Sequence, residues 1–131
     1  MRICGYVTSR PFGPFVMPVP AQNSCLREYA NNKKLQYVLP QLEHKYEDCF
    51  MQLYSVMNSA LTGDIIAMYS LEIVKETNKI DQIINYGISR NLSFYFVLEN
   101  IYVISLIELQ YIKRLWKIQN SIAKISFKRK Y

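Results

Sequence analysis

Residues 2–8, RICGYVT, set Ile3, Cys4, Tyr6 and Val7 in a nearly unbroken apolar run that stops at Thr8, Ser9 and Arg10. A strand with apolar side chains on both faces needs cover on both faces, and that is the condition of a strand inside a parallel sheet flanked by helices. This one segment argues against the half-solvated strands of most antiparallel sheets. It also puts a polar triplet at the carboxyl end of a buried strand.

The rest of the chain alternates in the manner that such a sheet requires. Residues 9–20 hold four of the five prolines together with Gly13, which excludes regular helix and strand and predicts a Pro-rich loop. Residues 21–34 carry Cys25, Leu26, Tyr29 and Ala30 at helical spacing behind Pro20. Residues 35–39 (LQYVL) read as a second strand stopped by Pro40. Residues 47–61 read as a helix with Phe50, Leu53, Tyr54, Met57 and Leu61 inward, and Gly63 stands near its cap. Residues 64–70 (DIIAMYS) are a third strand, 76–90 a helix through Ile80, Ile83, Ile84, Tyr86 and Gly87, and 92–98 (LSFYFVL) an aromatic fourth strand. Ser105 and Glu108 form an S-x-x-E capping box for a last helix over 105–125, with Leu109, Ile112, Leu115, Trp116 and Ile122 as its inward stripe and 126–131 left as a basic tail. Strands alternating with helices specify right-handed βαβ crossovers. The expected architecture is a single α/β domain over 1–131, a small doubly wound, flavodoxin-like parallel sheet of about four strands in the order 2-1-3-4 with helices on both faces.

Composition narrows the setting. With 131 residues, half of them apolar, the chain can bury a continuous core without metal or disulfide staples. Cys4, Cys25 and Cys49 are odd in number and contain no CxxC pair, so they read as small hydrophobes in a reducing compartment, and no metal site is expected. The longest apolar stretch, 92–107, is broken by Ser93, Glu99, Asn100 and Ser105, short of the roughly 20 apolar residues that span a bilayer. No secretory signal is visible, and a cytoplasmic location follows by default. The formal charge of +6 is unevenly spread: Lys113, Arg114, Lys117, Lys124, Lys128, Arg129 and Lys130 lie in the last nineteen residues.

In open parallel sheets ligands bind beyond the carboxyl ends of the strands, where strand order reverses. That rule selects Thr8, Ser9 and Arg10, the stretch from Gln41 through Glu43 to His44, then Tyr69 and Ser70, and finally Glu99. Arg10 offers a planar set of donors suited to a carboxylate or phosphate. His44, the one histidine, can titrate near neutrality. A carboxylate at Glu99 must be paired, solvated or raised in pKa, the last being the state of a general acid. The expected catalytic groups are Glu99, Glu43, His44 and Ser9, and the expected substrate contacts are Thr8, Arg10, Tyr69 and Ser70. Each also has a structural reading, since strand ends collect polar residues to satisfy helix N-termini. The chain contains no GxGxxG, GxxxxGK[ST], GxSxG or HExxH, and no cofactor is specified.

The segment Gly5-Tyr6-Val7-Thr8-Ser9-Arg10-Pro11-Phe12, with Gln22-Asn23, Arg27-Glu28-Tyr29 and Tyr69-Ser70-Leu71, resembles the sporadic carbohydrate cluster family of small bacterial proteins, over most of the chain through Glu99 to Trp116. The resemblance implies a role in surface-polysaccharide (capsule or O-antigen) biosynthesis. The order of elements also resembles the catalytic domain of serine recombinases (resolvases), whose first strand ends in a Tyr-x-Arg-x-Ser pattern. Tyr6 matches it, Thr8 stands at the arginine position, and Ser9 falls one residue early. Where that family has an Asp-Arg-x-x-Arg-like run, this chain has Ser70-Leu71-Glu72-Ile73-Val74, so the resemblance implies the fold without the chemistry. A similar sheet serves nucleoside deoxyribosyltransferases, but their diagnostic motifs are absent.

Three readings follow. The first is an enzyme or enzyme subunit of polysaccharide biosynthesis that takes a sugar, sugar phosphate or nucleotide sugar at the strand-end crevice. The second is a non-catalytic scaffold of the same pathway, a homo-oligomer or a partner of a pathway enzyme. The third is a nucleic-acid-binding protein with a degenerate resolvase-like domain that uses the basic C-terminal helix with Tyr111, Trp116 and Phe127. The first two leave nucleic acid outside the expected partners, because a charge run without a recognised module is a weak signal.

Overall fold

A computed structural model describes residues 1–12, 17–40, 42–43, 49–75 and 79–129, the last ten of these and residue 75 by backbone alone. The elements are β1 (Arg2–Gly5), α1 (Val19–Asn32), β2 (Gln36–Val38), α2 (Met51–Ser59), β3 (Ile65–Met68), α3 (Glu72–Lys75), α4 (Ile80–Ser89), β4 (Ser93–Phe96), β5 (Ile101–Val103) and α5 (Leu106–Arg129). The strands form one sheet in the order β2-β1-β3-β4-β5. The first four are parallel, with Cys4 beside Val38 and Ile66, and Phe94 beside Ile66.

The alternation of side chains along each strand divides the core in two. On one face Ile3, Val7, Ile65 and Ala67 pack with Leu26, Tyr29 and Ala30 of α1. On the other, Cys4, Tyr6, Ile66, Met68, Phe94 and Phe96 pack with Leu53 and Met57 of α2, Ile83 and Ile84 of α4, and Leu109 and Ile112 of α5. Two glycines permit these approaches. A Cβ on Gly87 would stand 2.3 Å from the Phe94 ring, and one on Gly5 would stand 2.6 Å from the Tyr37 hydroxyl. Tyr37 uses the space at Gly5 to reach over β1 and donate to Asn23 Oδ1 at 2.6 Å, joining β2 to α1.

The four-strand core has the expected order, and a fifth strand adds to it. β5 is antiparallel to β4, with Tyr95 opposite Tyr102. The turn between them is carried by Asn100 at φ 54°, and its side chain accepts from the Tyr95 hydroxyl at 2.5 Å. Asparagine tolerates that left-handed backbone better than most residues. Asn100 followed by Ile101-Tyr102-Val103 was therefore the legible signal of a hairpin.

Two further differences matter for function. α3 is a short helix directly after β3 where the sequence pattern had none, and α5 continues to Arg129, through the residues read as a basic tail from 126. The capping box is formed: Ser105 and Glu108 are hydrogen-bonded, and the Ser105 amide donates to Glu108 Oε2 at 2.9 Å. That bonding holds the Glu108 carboxyl below the usual range. Within α5, Leu109 and Ile112 are buried and Trp116 packs on the same core, whereas Leu115 is exposed. The side chain of Ile122 lies outside the described residues.

At the amino ends of the strands Asp64 is buried just ahead of β3. It accepts from the Arg2 amide at 2.9 Å, from Arg2 Nε and Nη2 at 3.1 and 2.8 Å, and from the Leu61 amide at 2.8 Å. Burial by itself would raise the Asp64 pKa, but these donors outweigh it and hold the carboxyl below its ordinary value. Burial, and next the neighbouring Asp64, push the Cys4 thiol up to about 11.

Candidate functional site

The chain leaves β1 through Tyr6 and Val7 and reaches the triplet at the sheet's carboxyl edge. Thr8 is buried, and its backbone is gripped by Gln22 of α1. The Thr8 amide donates to Gln22 Oε1 at 3.2 Å, and Gln22 Nε2 donates to the carbonyls of Thr8 at 2.7 Å and Met17 at 2.8 Å. Gln22 itself is fully buried, so a side-chain amide takes the place of a strand partner here. Gln22 stands out in the sequence only as part of the family resemblance, because a clamp between residues fourteen apart leaves no local pattern.

Arg10 is fixed above this edge. Its amide and its Nε both donate to Thr8 Oγ1 at 3.2 Å, its Nη2 lies 3.5 Å from the Tyr6 hydroxyl, and its guanidinium stands 4.9 Å from the centre of the Phe50 ring. The guanidinium is thus oriented by a hydroxyl on one side and an aromatic face on the other. Arg10 is half-buried and Ser9 is exposed.

Glu43 is buried and faces inward. The Tyr6 hydroxyl donates to its Oε2 at 2.8 Å, and the amides of Gln52 and Leu53 donate to the same oxygen at 3.1 and 3.2 Å. These amides belong to the first turn of α2, so the carboxylate satisfies donors that the helix cannot. Burial, followed by the charge of Glu43, drives the Tyr6 phenol far above its ordinary value, and it stays a donor.

Glu99 does the same for α3. The Ser70 hydroxyl donates to Glu99 Oε2 at 2.7 Å and the Leu71 amide to Oε1 at 2.8 Å, while the Glu72 amide donates to Ser70 Oγ at 3.1 Å. Tyr69 is half-buried, its ring centre 6.2 Å from that of Phe12.

Thr8, Arg10, Tyr6 and Glu43 thus form one connected set, and Ser70, Glu99 and the start of α3 form a second. His44, like Gln41, lies outside the described residues. Among the described residues no group of three or more His, Cys, Asp and Glu could hold a metal ion. No helix among them is long and apolar enough to cross a membrane.

The second polar region is α5. Lys113 is paired with Asp81 of α4, and Arg114 and Lys117 are exposed. Lys113 and Lys117 are one turn apart, and the sequence repeats lysine at 124 and 128 in the same helical phase. Lys113, Lys117, Lys124 and Lys128 therefore share one phase of the helix, and Arg114 lies about a quarter-turn away.

No family model matches the chain, and no curated protein matches it. Solved structures do match it. The N-terminal catalytic domain of TP901-1 integrase aligns over 95% of this chain and 98% of its own with a TM-score of 0.63 at 13% identity. A resolvase family site-specific recombinase from Streptococcus pneumoniae aligns over 95% of this chain and 93% of its own with a TM-score of 0.60 at 10% identity. The resolvase-like α/β fold is established by these likenesses.

They also correct the functional expectation. The structures that share the fold are recombinase domains, so surface-polysaccharide biosynthesis, a sugar or nucleotide-sugar ligand and the exclusion of nucleic acid as a partner do not stand. The physical reason lies in the residues behind the carbohydrate resemblance. Gly5, Tyr6, Thr8, Phe12, Gln22, Asn23, Tyr29, Ser70 and Leu71 are packed or bonded inside the fold, so the motif they make specifies a strand edge and its clamp. Such residues define a scaffold and do not name a ligand.

Proposed function

We propose that this chain is a nucleic-acid-binding domain on a degenerate resolvase-like fold, contacting the phosphate backbone along the basic flank of α5. The observation that carries the reading is the shared helical phase of Lys113 and Lys117 with the exposed Arg114 next to them, a phase that the sequence continues at Lys124 and Lys128, on a fold shared with an integrase and a resolvase family recombinase. A row of cations at helical spacing matches a polyanion, and such contacts bind without reading sequence.

Arg10 supplies a second contact in this reading. Its guanidinium is oriented by Thr8 and Phe50 beside the exposed Ser9, a geometry suited to one phosphate. Tyr69 and Ser70 border the same edge. Glu43 and Glu99 serve the scaffold, since their oxygens are engaged by helix amides. Strand exchange is not part of the proposal, because Thr8 stands at the arginine position of the recombinase pattern and 70–74 lacks its arginines. The likeness of 5–12 to the sporadic carbohydrate cluster family enters only as a kinship of scaffold.

Fluorescence anisotropy with duplex and single-stranded oligonucleotides tests the reading. Binding is expected to weaken steeply with salt, at about −0.9 in log K per log salt for each duplex phosphate neutralised. Arg114→Glu with Lys117→Glu should weaken binding uniformly across sequences, and deletion of 124–131 should remove most of it. Salt-insensitive binding, or none at low salt, would overturn it.

A further inference from the structure

The two faces of the sheet are not covered alike. Of the described helices, α2, α3, α4 and α5 pack on one face, and α1 alone packs on the other, over Ile3, Val7, Ile65 and Ala67. Along β4 and β5 that second face carries Ser93, Tyr95, Val97 and Tyr102, each half-buried. Tyr95 and Tyr102 stand opposite one another across the antiparallel pair with ring centres 5.9 Å apart, and Tyr29 of α1 stacks on Tyr95 at 4.0 Å. Hydroxyl bonds fix the rings: the Tyr95 hydroxyl donates to Asn100 Oδ1, and Ser93 Oγ donates to the Tyr102 hydroxyl at 3.4 Å. Between α1 and β4 the surface opens into a groove of about 290 Å³. Tyr29, Tyr95 and Val97 line it together with Glu28, Asn32 and Lys33, and the half-buried Cys25 borders it. Lys33 Nζ stands 5.9 Å from the centre of the Tyr29 ring, and the adjacent Lys34 is exposed.

We propose that this groove holds an unpaired base of a single-stranded nucleic acid, stacked on the tyrosine row. Half-buried rings on a sheet face are a platform for stacking, and every base has a π-face to offer. The size agrees, because small-molecule sites usually enclose roughly 300–1,000 Å³ and a groove at the bottom of that range takes a single planar ring. The rim supplies the chemistry of a base edge: the Asn32 amide both donates and accepts, and the Glu28 carboxylate accepts from an exocyclic amine. Lys33 and Lys34, just after the end of α1, set two cations against that one carboxylate and complement the adjoining phosphates. A protein partner would find little to pack on, since Val97 is the one aliphatic side chain among those that line the groove. A base inside a duplex is stacked on both faces and paired at its edge, so the groove selects single strands. It lies on a different element from the basic helix and works by stacking, so this inference and the reading of α5 can fail separately.

Fluorescence anisotropy of the full chain with a labelled oligodeoxycytidylate, beside a mixed-sequence duplex of equal length, tests the site. Tyr102→Ala and Tyr95→Leu should each weaken single-strand affinity about tenfold and leave duplex affinity as it was, whereas Tyr95→Phe, which keeps the ring, should bind as the native chain does. In the native chain, saturating oligodeoxycytidylate should slow alkylation of Cys25, mapped by peptide mass, and the duplex should not. That readout needs no variant, so it decides the matter even where a substitution impairs folding. Deoxycytidine monophosphate should compete only at far higher concentration than the oligomer. Single-strand affinity unmoved by both tyrosine substitutions, or undiminished Cys25 reactivity in the saturated complex, overturns the proposal and leaves the α5 reading intact. Equal losses for duplex and single strand overturn it as well. A mononucleotide that competes as strongly as the oligomer overturns the single strand as the occupant.

Discussion

The two ends of the sheet use the same kinds of residue to opposite effect. At the amino end Asp64 ties Arg2, on the first strand, to the turn before β3, and the cation and carboxylate satisfy each other. At the carboxyl end Glu43 and Glu99 are also satisfied, but by helix amides and hydroxyls, and Arg10 is left beside the exposed Ser9 with Thr8 and Phe50 as its supports. One end closes the molecule on itself, and the other orients a guanidinium beside an exposed serine. Polar residues at strand ends thus divide into those that satisfy helix termini and those, like Arg10, that are oriented by neighbouring side chains at a half-buried rim.

The largest effect should come from breaking the carboxyl end where it is structural. Glu43→Ala removes the acceptor of the Tyr6 hydroxyl and of two amides in a buried setting. It is expected to cost about 3 kcal/mol, read as a lowered midpoint in urea. An unchanged midpoint would mean that Glu43 is not a scaffold residue.

At the amino end Asp64→Asn should cost about 2 kcal/mol, because the charge-assisted bonds to Arg2 are lost while the shape is kept. The same pair gives a pH dependence. The Asp64 pKa is lowered in the folded state, so its contribution is fully present above the ordinary carboxylate value of 3.8 and is lost as the pH falls through the depressed value. Melting temperature measured from pH 5 downward should therefore fall more steeply in the native chain than in Asp64→Asn. Parallel curves would remove Asp64 from the account.

The smallest effect on stability sharpens the contrast. Arg10→Ala loses a ring contact and bonds at a half-buried position, worth within about 1 kcal/mol. Its oligonucleotide affinity should nevertheless drop, and the salt dependence should flatten by roughly one phosphate contact. A variant that is strongly destabilised with unaltered binding would place Arg10 with Asp64 among the closing residues.

The apolar run of 2–8, the helical spacings and the S-x-x-E box made the parallel order 2-1-3-4 legible, because burial and capping impose local periodicities. Leu115 misled for the same reason: in a helix with apolar residues on two faces, period alone does not say which face is inward. The site was legible only as a list of strand ends. That Glu43 belongs to α2, Glu99 to α3 and Gln22 to Thr8 depends on contacts across 10, 28 and 14 residues. By itself the sequence determined a buried first strand, a parallel α/β layout and where the chain would turn polar. Tertiary structure decided which of those polar groups are spent on helix amides and which remain outside, since hydrogen-bond partners far apart in sequence meet only when the layers pack.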